Sequence, residues 1–305
     1  MPNSKIDVLL VCYNQEESIS RALDSIFMQK SDFDFKVIVC DDFSTDHTMD
    51  RILEYKNRFG GKIEILESSE NVGVTRNYRR GFASCEGDCI AVLEGDDYWN
   101  SPYKLQRQMD FLIEHTECSM SYHRYLLDDT INKIITVPKN SFPKIGYHLL
   151  YTRDLVKCNF IGNFSCCMYR REIVKKLDQS IFDMQIADWL FNMAVSEFGP
   201  IGYIADVMSV YVLHENGVWS GKSSLEQLQS HLAIIPIYDE YFKGKYANEF
   251  NELGEKLISL LPKRGMAVFK SPKMLKKVVK LFFPPIVLKL YRYIKKGIYP
   301  SSFSD

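Results

Sequence analysis

Three carboxylates, those of Glu94, Asp96 and Asp97, lie within four residues, directly after an apolar run at residues 89–93. Like charges this close together at a strand end repel one another unless a cation or a hydrogen-bonded ligand compensates them. Hard oxygen donors suit Mg²⁺ or Mn²⁺, and such ions commonly also bind substrate phosphates. Because many charge runs are only solvated turns, the surrounding elements must distinguish a metal site from an ordinary acidic turn.

Strands and helices alternate along the first part of the chain. Apolar patterns predict strands at residues 6–12, 35–40, 62–66 and 89–93, and helices at residues 19–27, 48–59 and 75–85. This alternation predicts an α/β, Rossmann-like fold, in which helices flank a mostly parallel central sheet. Ligands bind such sheets at the carboxyl ends of the strands.

Those carboxyl ends carry polar and aromatic side chains. Tyr13 and Asn14 follow the first strand, Asp41 and Asp42 follow the second, and the acidic cluster at residues 94–97 follows the fourth. Parallel strands bring these positions to the same edge of the sheet, so we expect the side chains to surround one ligand.

The pattern becomes less regular beyond the acidic cluster. It predicts helices at residues 101–115, 173–177 and 187–198, and strands at residues 119–127, 131–137, 166–169, 201–204 and 207–213. We therefore predict two halves of one domain, at residues 1–127 and 128–221. Residues 222–305 are predicted to form a helical extension that ends in a basic, amphipathic tail.

Composition indicates an ordinary globular protein with an uneven distribution of charge. The net charge is −1, yet residues 263–299 hold eleven Lys or Arg and no Asp or Glu. The eight cysteines show no zinc-site spacing, and the amino terminus shows no apolar signal stretch, so we expect reduced thiols and a cytoplasmic location. The sequence contains no recognisable nucleic-acid-binding module. It does not indicate an oligomeric state.

The motifs together resemble family 2 glycosyltransferases, which have the GT-A fold and invert the transferred sugar. The resemblance extends over residues 5–220. It rests on the order and spacing of four segments, at residues 11–16, 40–46, 71–77 and 94–97. It implies a nucleoside diphosphate sugar as donor, most often a uridine one, with Mn²⁺ or Mg²⁺ as cofactor. It also implies that the half at residues 1–127 binds the nucleotide sugar and that the half at 128–221 binds the acceptor.

The resemblance also assigns the residues that bind the nucleotide. Tyr13 would pack on the base, and the acceptor-only carboxylate of Asp42 would accept a hydrogen bond from it. Alternatively, Asp41 or Asp42 could cap the following helix, and Arg76 could be only a surface charge. The positions predicted to bind the nucleotide are Tyr13, Asn14, Glu16, Asp41, Asp42, Arg76 and Asp96.

The acidic cluster matches the family's DxD motif. By resemblance, Asp97 would hold the metal ion and Asp96 would contact the ribose or the metal. Glu94 stands where the family has Asp, which lengthens the side chain without changing its charge. His214 matches a histidine near the diphosphate, and Gly217 and Gly221 could let its loop act as a lid. The predicted metal ligands are thus Asp97, Asp96, Glu94 and His214.

An inverting transfer requires a general base that deprotonates the acceptor hydroxyl. Asp188, before an aromatic helix, matches the acidic residue that serves this role in the family, and Asp183 is the alternative if the register differs. An acidic residue there could instead only stabilise the helix dipole.

These observations predict sugar transfer to a glycan or lipid-linked glycan in bacterial surface polysaccharide assembly, such as capsule or lipopolysaccharide. The basic tail predicts peripheral attachment to the inner leaflet of the cell membrane, or docking on the protein's own acidic body. Two other functions are a non-catalytic, membrane-associated nucleotide- or glycan-binding subunit and a sugar-phosphate nucleotidyltransferase. The nucleotidyltransferase would require a Gly-rich phosphate loop after the first strand, where residues 13–16 are Tyr-Asn-Gln-Glu.

Overall fold

The computed structural model describes residues 4–139, 141–184, 188–215, 217, 219 and 221–261. Within these residues the strands are β1 (Lys5–Cys12), β2 (Asp34–Asp41), β3 (Ile63–Ile65), β4 (Cys89–Glu94), β5 (Tyr98–Trp99), β6 (Met120–Asp129), β7 (Ile134–Thr136), β8 (Tyr147–Leu150), β9 (Cys167–Arg170) and β10 (Ile201–Leu213). The predicted basic tail lies outside the described residues.

Helices follow most of these strands. They are α1 (Ile19–Phe27), α2 (Thr48–Phe59), α3 (Val74–Ser84), α4 (Lys104–Glu114), α5 (Thr152–Lys157), α6 (Arg171–Val174), α7 (Asp188–Ser196), α8 (Ser224–Tyr241) and α9 (Ala247–Ser259). Short 3₁₀ turns span Gly60–Lys62 and Gln179–Asp183. No helix among the described elements is long and apolar enough to cross a membrane.

All the strands belong to one mixed sheet, whose main order is β3-β2-β1-β4-β9-β6-β10-β5. The first four strands of that order are parallel, as predicted. β9 is antiparallel to both β4 and β6, whereas β6 and β10 are parallel to each other. β4, β6 and β10 therefore run in the same direction, so their carboxyl ends share an edge with those of β1 and β2.

The sheet is covered on both faces. Alternate residues of β1 enter two separate apolar cores: Leu9 and Val11 contribute to one, and Val8 and Leu10 to the other. The second core contains α1 and α4, and the first contains α3, α5 and α7. Burial on both faces explains why β1 and β4 are continuous apolar runs in the sequence.

The prediction of two separate strands at residues 201–204 and 207–213 was wrong. They form one strand, β10, whose pairing with β6 shifts register between Ile204 and Val207 and again between Val207 and Ser209. Irregular pairing of this kind inserts unpaired residues and bends a strand without ending it. Beyond these shifts, β10 pairs with β5, which directly follows the acidic cluster.

Candidate active site

The loops after β1 and β2 are tied together by hydrogen bonds. Asn14 donates its backbone N–H to Ser44 Oγ at 2.8 Å, and its Oδ1 accepts from the Thr45 N–H at 2.8 Å. Glu16 Oε2 accepts from the His47 N–H at 2.9 Å. The two loops thus form a single cross-linked unit, and Asn14 and Glu16, which we predict to bind nucleotide, both take part in it.

The two aspartates at the end of β2 are buried and organise the backbone around them. Asp41 Oδ2 accepts from the Ser44 N–H at 2.9 Å, and its other oxygen accepts from the Ser44 hydroxyl. Asp42 accepts from the N–H groups of Val72 and Gly73, at 2.8 and 2.9 Å. Asp42 therefore joins the loop after β2 to the loop before α3, and Asp41 folds its own loop rather than capping α2.

Asp97 is fully buried and connects three parts of the sheet edge. Its Oδ1 accepts from the Val212 N–H of β10 at 2.9 Å, and its Oδ2 accepts from Ser165 Oγ at 2.6 Å. Ser165 lies just before β9, and its carbonyl accepts from the indole N–H of Trp99 at 2.9 Å. Hydrogen bonds from residues distant in sequence thus fix the Asp97 carboxylate of the acidic cluster.

The other two acidic residues of the cluster are half-buried. Glu94 Oε1 accepts from the Tyr78 hydroxyl of α3 at 2.8 Å. Asp96 Oδ2 lies 3.1 Å from Nε2 of His214, which follows β10. The structure therefore brings together Asp96 and His214, two of the predicted metal ligands, across the end of the sheet.

The carboxyl groups of the cluster disfavour one another's charged forms. Burial and the neighbouring charge of Asp96 raise the pKa of Glu94 well above its ordinary value, and Asp188 adds to that effect. Burial, Asp96 and Glu94 raise the pKa of Asp97 in the same way. The hydrogen bond to Asp96 raises the pKa of His214, which favours its protonated form. A positively charged ligand would relieve this repulsion.

Asp188 begins α7 and faces the same region. Its Oδ2 accepts from Asn159 Nδ2 at 3.2 Å, and burial raises the pKa of its carboxyl. Its charge also raises the pKa of Tyr211 on β10, after the larger effect of burial. Asp183, by contrast, is exposed and lies 3.8 Å from Arg79. Of the two candidate bases, Asp188 is the one whose charge also raises the pKa of Glu94 in the acidic cluster.

Two further predicted residues are solvent-accessible. Tyr13 is 44% exposed directly after β1, and Arg76 lies on the exposed side of the first turn of α3. The loop containing Gly217 and Gly221 is described only in part, and Gly221 donates its N–H to the Gly217 carbonyl at 2.9 Å.

The sequence interpretation missed Ser165, Tyr78 and Asn159. Each donates a hydrogen bond to a carboxylate of the site, namely Asp97, Glu94 and Asp188 respectively. No local pattern distinguishes Ser165 or Asn159, because both lie in irregular segments. Tyr78 occupies the buried face of α3, where an aromatic residue is ordinary core.

The residues present suit a divalent ion by their chemistry. In the part of the chain that the structure describes, no group of three or more His, Cys, Asp or Glu side chains is arranged so that it could hold a metal ion. Mg²⁺ in phosphate sites, however, typically uses one or two carboxylates together with substrate oxygens. Asp96 and Glu94 offer such oxygens, and burial and neighbouring carboxylates raise the pKa of Glu94 and of Asp97, an effect that a bound cation would offset.

Comparison with known proteins agrees with this arrangement. Residues 7–178, more than half of the chain, match the family described as "Glycosyl transferase family 2". The chain therefore belongs to glycosyltransferase family 2.

Curated relatives come from several bacteria. An uncharacterized protein of Mycobacterium tuberculosis is 31% identical over 217 residues, which are 70% of this chain and 60% of the relative. This chain therefore covers less than two thirds of that protein. The putative teichuronic acid biosynthesis glycosyltransferase TuaG of Bacillus subtilis is 26% identical over 222 residues, 71% of this chain and 82% of TuaG.

Solved structures show the same fold. Residues 1–349 of Staphylococcus aureus TarS, in complex with UDP-GlcNAc, match with a TM-score of 0.67 and 19% identity, covering 90% of this chain and 79% of that one. The mannosyltransferase PcManGT of Pyrobaculum calidifontis, in complex with GDP-Man and Mn²⁺, matches with a TM-score of 0.57 and 15% identity, covering 97% and 81%. The predicted GT-A fold is confirmed.

Proposed function

We propose that this protein transfers a sugar, with inversion, from a nucleoside diphosphate sugar to a hydroxyl group of a glycan or lipid-linked glycan. One observation carries the proposal. After the larger effects of burial and Asp96, the charge of Asp188 also raises the pKa of Glu94. This electrostatic coupling supports a candidate base and a candidate diphosphate anchor in one site.

The donor would occupy the edge formed by the loops after β1, β2 and β4. Tyr13 offers an exposed ring for a base, and Asp96 offers carboxylate oxygens toward the ribose or an ion. UDP-sugars are the favoured donors, since TarS binds UDP-GlcNAc, although the GDP-Man complex of PcManGT shows that this fold also holds guanine nucleotides.

Metal binding forms part of the proposal. Asp97, Asp96, Glu94 and His214 are the residues that would hold Mn²⁺ or Mg²⁺. Such an ion would neutralise the charge that develops on the leaving diphosphate. In this chain Asp97 also has a structural role, because its buried carboxylate accepts a hydrogen bond from the Val212 N–H and so connects the end of β4 to β10.

Asp188 would accept the proton of the acceptor hydroxyl as that oxygen attacks the sugar. A raised pKa makes a carboxylate a stronger base near neutral pH. The hydrogen bond from Asn159 orients the Asp188 carboxyl and partly offsets the effect of burial. Positioned general bases typically contribute 10²- to 10⁴-fold to the rate.

Surface polysaccharide assembly is the proposed setting, in line with the teichuronic acid role in the name of TuaG and the poly(ribitol-phosphate) acceptor in that of TarS. The eleven basic residues at positions 263–299, outside the described part, would attach the protein to anionic lipids at the inner face of the membrane. Flotation with anionic vesicles, comparing the full chain with one ending at residue 261, tests this attachment. Equal recovery of both chains in the soluble fraction would contradict it.

A panel of nucleotide sugars with Mn²⁺ or Mg²⁺, scored by thermal shift and by slow donor hydrolysis, tests the donor. Asp188→Asn should retain the thermal shift while turnover falls about 10²- to 10⁴-fold. Asp183→Asn, at an exposed position, is the matched control and should retain turnover.

Three results would count against the proposal. If no nucleotide sugar stabilises the protein, the donor assignment fails. If Asp183→Asn rather than Asp188→Asn abolishes turnover, the base is wrongly assigned. If the wild-type protein binds the donor without any turnover, and Asp188→Asn changes nothing, the protein is a non-catalytic binding subunit.

A further inference from the structure

Phe43 has a backbone conformation that bulky residues rarely adopt. Its φ is +63°, in the left-handed region, where a side chain is held close to its own backbone. Glycine adopts this conformation without strain, and asparagine tolerates it well. The turn itself therefore has no need of an aromatic residue at this position.

Hydrogen bonds on both sides fix the backbone of Phe43. Asp41 accepts from the backbone N–H and the hydroxyl of Ser44, and Asp42 accepts from the N–H groups of two residues before α3. Both flanking carboxylates are buried, and both point into the protein. Strain of this type persists only where the surroundings overdetermine the conformation, and it often occurs at ligand sites.

The constrained turn exposes the Phe43 ring to solvent. Phe43 is 48% exposed, so only about half of it is buried to compensate the strain. Tyr13, at 44% exposure, stands on the adjoining loop, since the Asp42 N–H donates to the Cys12 carbonyl at 3.0 Å. Two exposed aromatic residues thus project from two loops that the Asn14 hydrogen bonds cross-link.

We propose that Phe43 is a specificity-determining residue that stacks on the nucleobase of the donor and, with Tyr13, forms an aromatic base-binding site. This inference rests on the proposed function, because it assumes a nucleotide donor. A base has two flat faces, and stacking on aromatic side chains is favourable for any base. Larger bases offer more area, so the ring at position 43 also influences the choice between uracil and guanine.

The test measures UDP and GDP binding by calorimetry, in Mn²⁺, together with melting temperature. Phe43→Leu retains the Cβ and the apolar character but removes the ring, and it should weaken UDP binding about tenfold and GDP binding more. Phe198→Leu is the control, because Phe198 is 45% exposed and lies before β10 at the opposite edge of the sheet. It should bind UDP as the wild-type protein does.

Phe43→Gly separates the strain from the binding role. Glycine relieves the left-handed strain, so the melting temperature should equal or exceed that of the wild-type protein, while UDP binding weakens as in Phe43→Leu. A melting temperature below that of the wild-type protein in both Phe43→Gly and Phe43→Leu would show that the ring stabilises the fold, which overturns the inference.

The binding results separate this inference from the proposed function. Wild-type affinity in both Phe43 variants overturns the inference but leaves the proposed function intact. Absence of nucleotide binding by the wild-type protein overturns the proposed function itself.

Discussion

Replacing Lys104 with methionine should stabilise this protein. Lys104 is fully buried at the start of α4, and its Nζ has no hydrogen-bond partner among the described residues. Its Nζ lies over the Trp99 ring, 3.9 Å from the ring centroid. Burial lowers the pKa of Lys104 from 10.5 to about 7, because the charged form is poorly solvated.

The magnitude follows from that pKa difference. A decrease from 10.5 to about 7 corresponds to about 5 kcal/mol against the charged folded form. A desolvated contact between an ammonium group and an aromatic face stabilises the charged form by about 2 kcal/mol, which offsets part of this cost. Methionine has nearly the same length and carries no charge, so Lys104→Met should raise the free energy of unfolding by about 3 kcal/mol at pH 6.

The pH dependence provides the sharper test. Below pH 7 the lysine is charged in both states and the full penalty applies. As pH rises from 7 to about 10, the unfolded chain binds the proton and the folded chain does not, so wild-type stability increases. The advantage of Lys104→Met should therefore fall below about 1 kcal/mol by pH 10.

Urea unfolding at several pH values between 6 and 10 measures this difference. Lys157→Met, at an exposed position on α5, is the control and should have little effect at any of these pH values. The reasoning is refuted if Lys104→Met is less stable than the wild-type protein at pH 6, or if the difference does not change with pH.

Two other substitutions test the packing around the sheet. Gly202→Ala should lower the free energy of unfolding by about 1–3 kcal/mol, because its Cβ would lie 2.0 Å from a Phe111 ring carbon. Gly61→Ala is the control and should be tolerated, since its Cβ would have no atom within 4 Å. Equal urea midpoints for the two variants would contradict the predicted clash. Arg170→Lys should lower the free energy of unfolding by about 1–3 kcal/mol, since the guanidinium donates to the carbonyls of Leu112, His115 and Cys118 at once. Urea unfolding measures this change, and a decrease below about 0.5 kcal/mol, as for ordinary surface substitutions, would contradict that role.

The first half of the fold could be predicted because its signals are local. The buried apolar run of β1 and the helical periodicity at Thr48–Phe59 depend only on neighbouring residues, and the structure agrees with both. The short strands at Tyr98–Trp99 and Tyr147–Leu150 were not predicted. Each acquires its strand character by pairing with β10, more than 50 residues later in the chain.

The candidate site was predictable to the extent that residue chemistry defines it. Asp96 and Asp188 were identified from residue type and position, and the structure brings them to one region. Ser165 could not be found in this way, because a serine in an irregular loop carries no signal until the fold places it beside Asp97. The contact between Asn14 and the next loop was hidden for the same reason.

The hydrogen bond between Asp97 and the Val212 N–H has a consequence for biosynthesis, because the two residues are 115 positions apart. At a synthesis rate of about 5–20 residues per second, the ribosome adds β10 roughly 6–23 s after the acidic cluster. During that interval the Asp97 carboxylate remains hydrated, because its hydrogen-bond donor on β10 has not yet been made. The buried environment of the acidic cluster therefore forms only once the far side of the sheet has been translated.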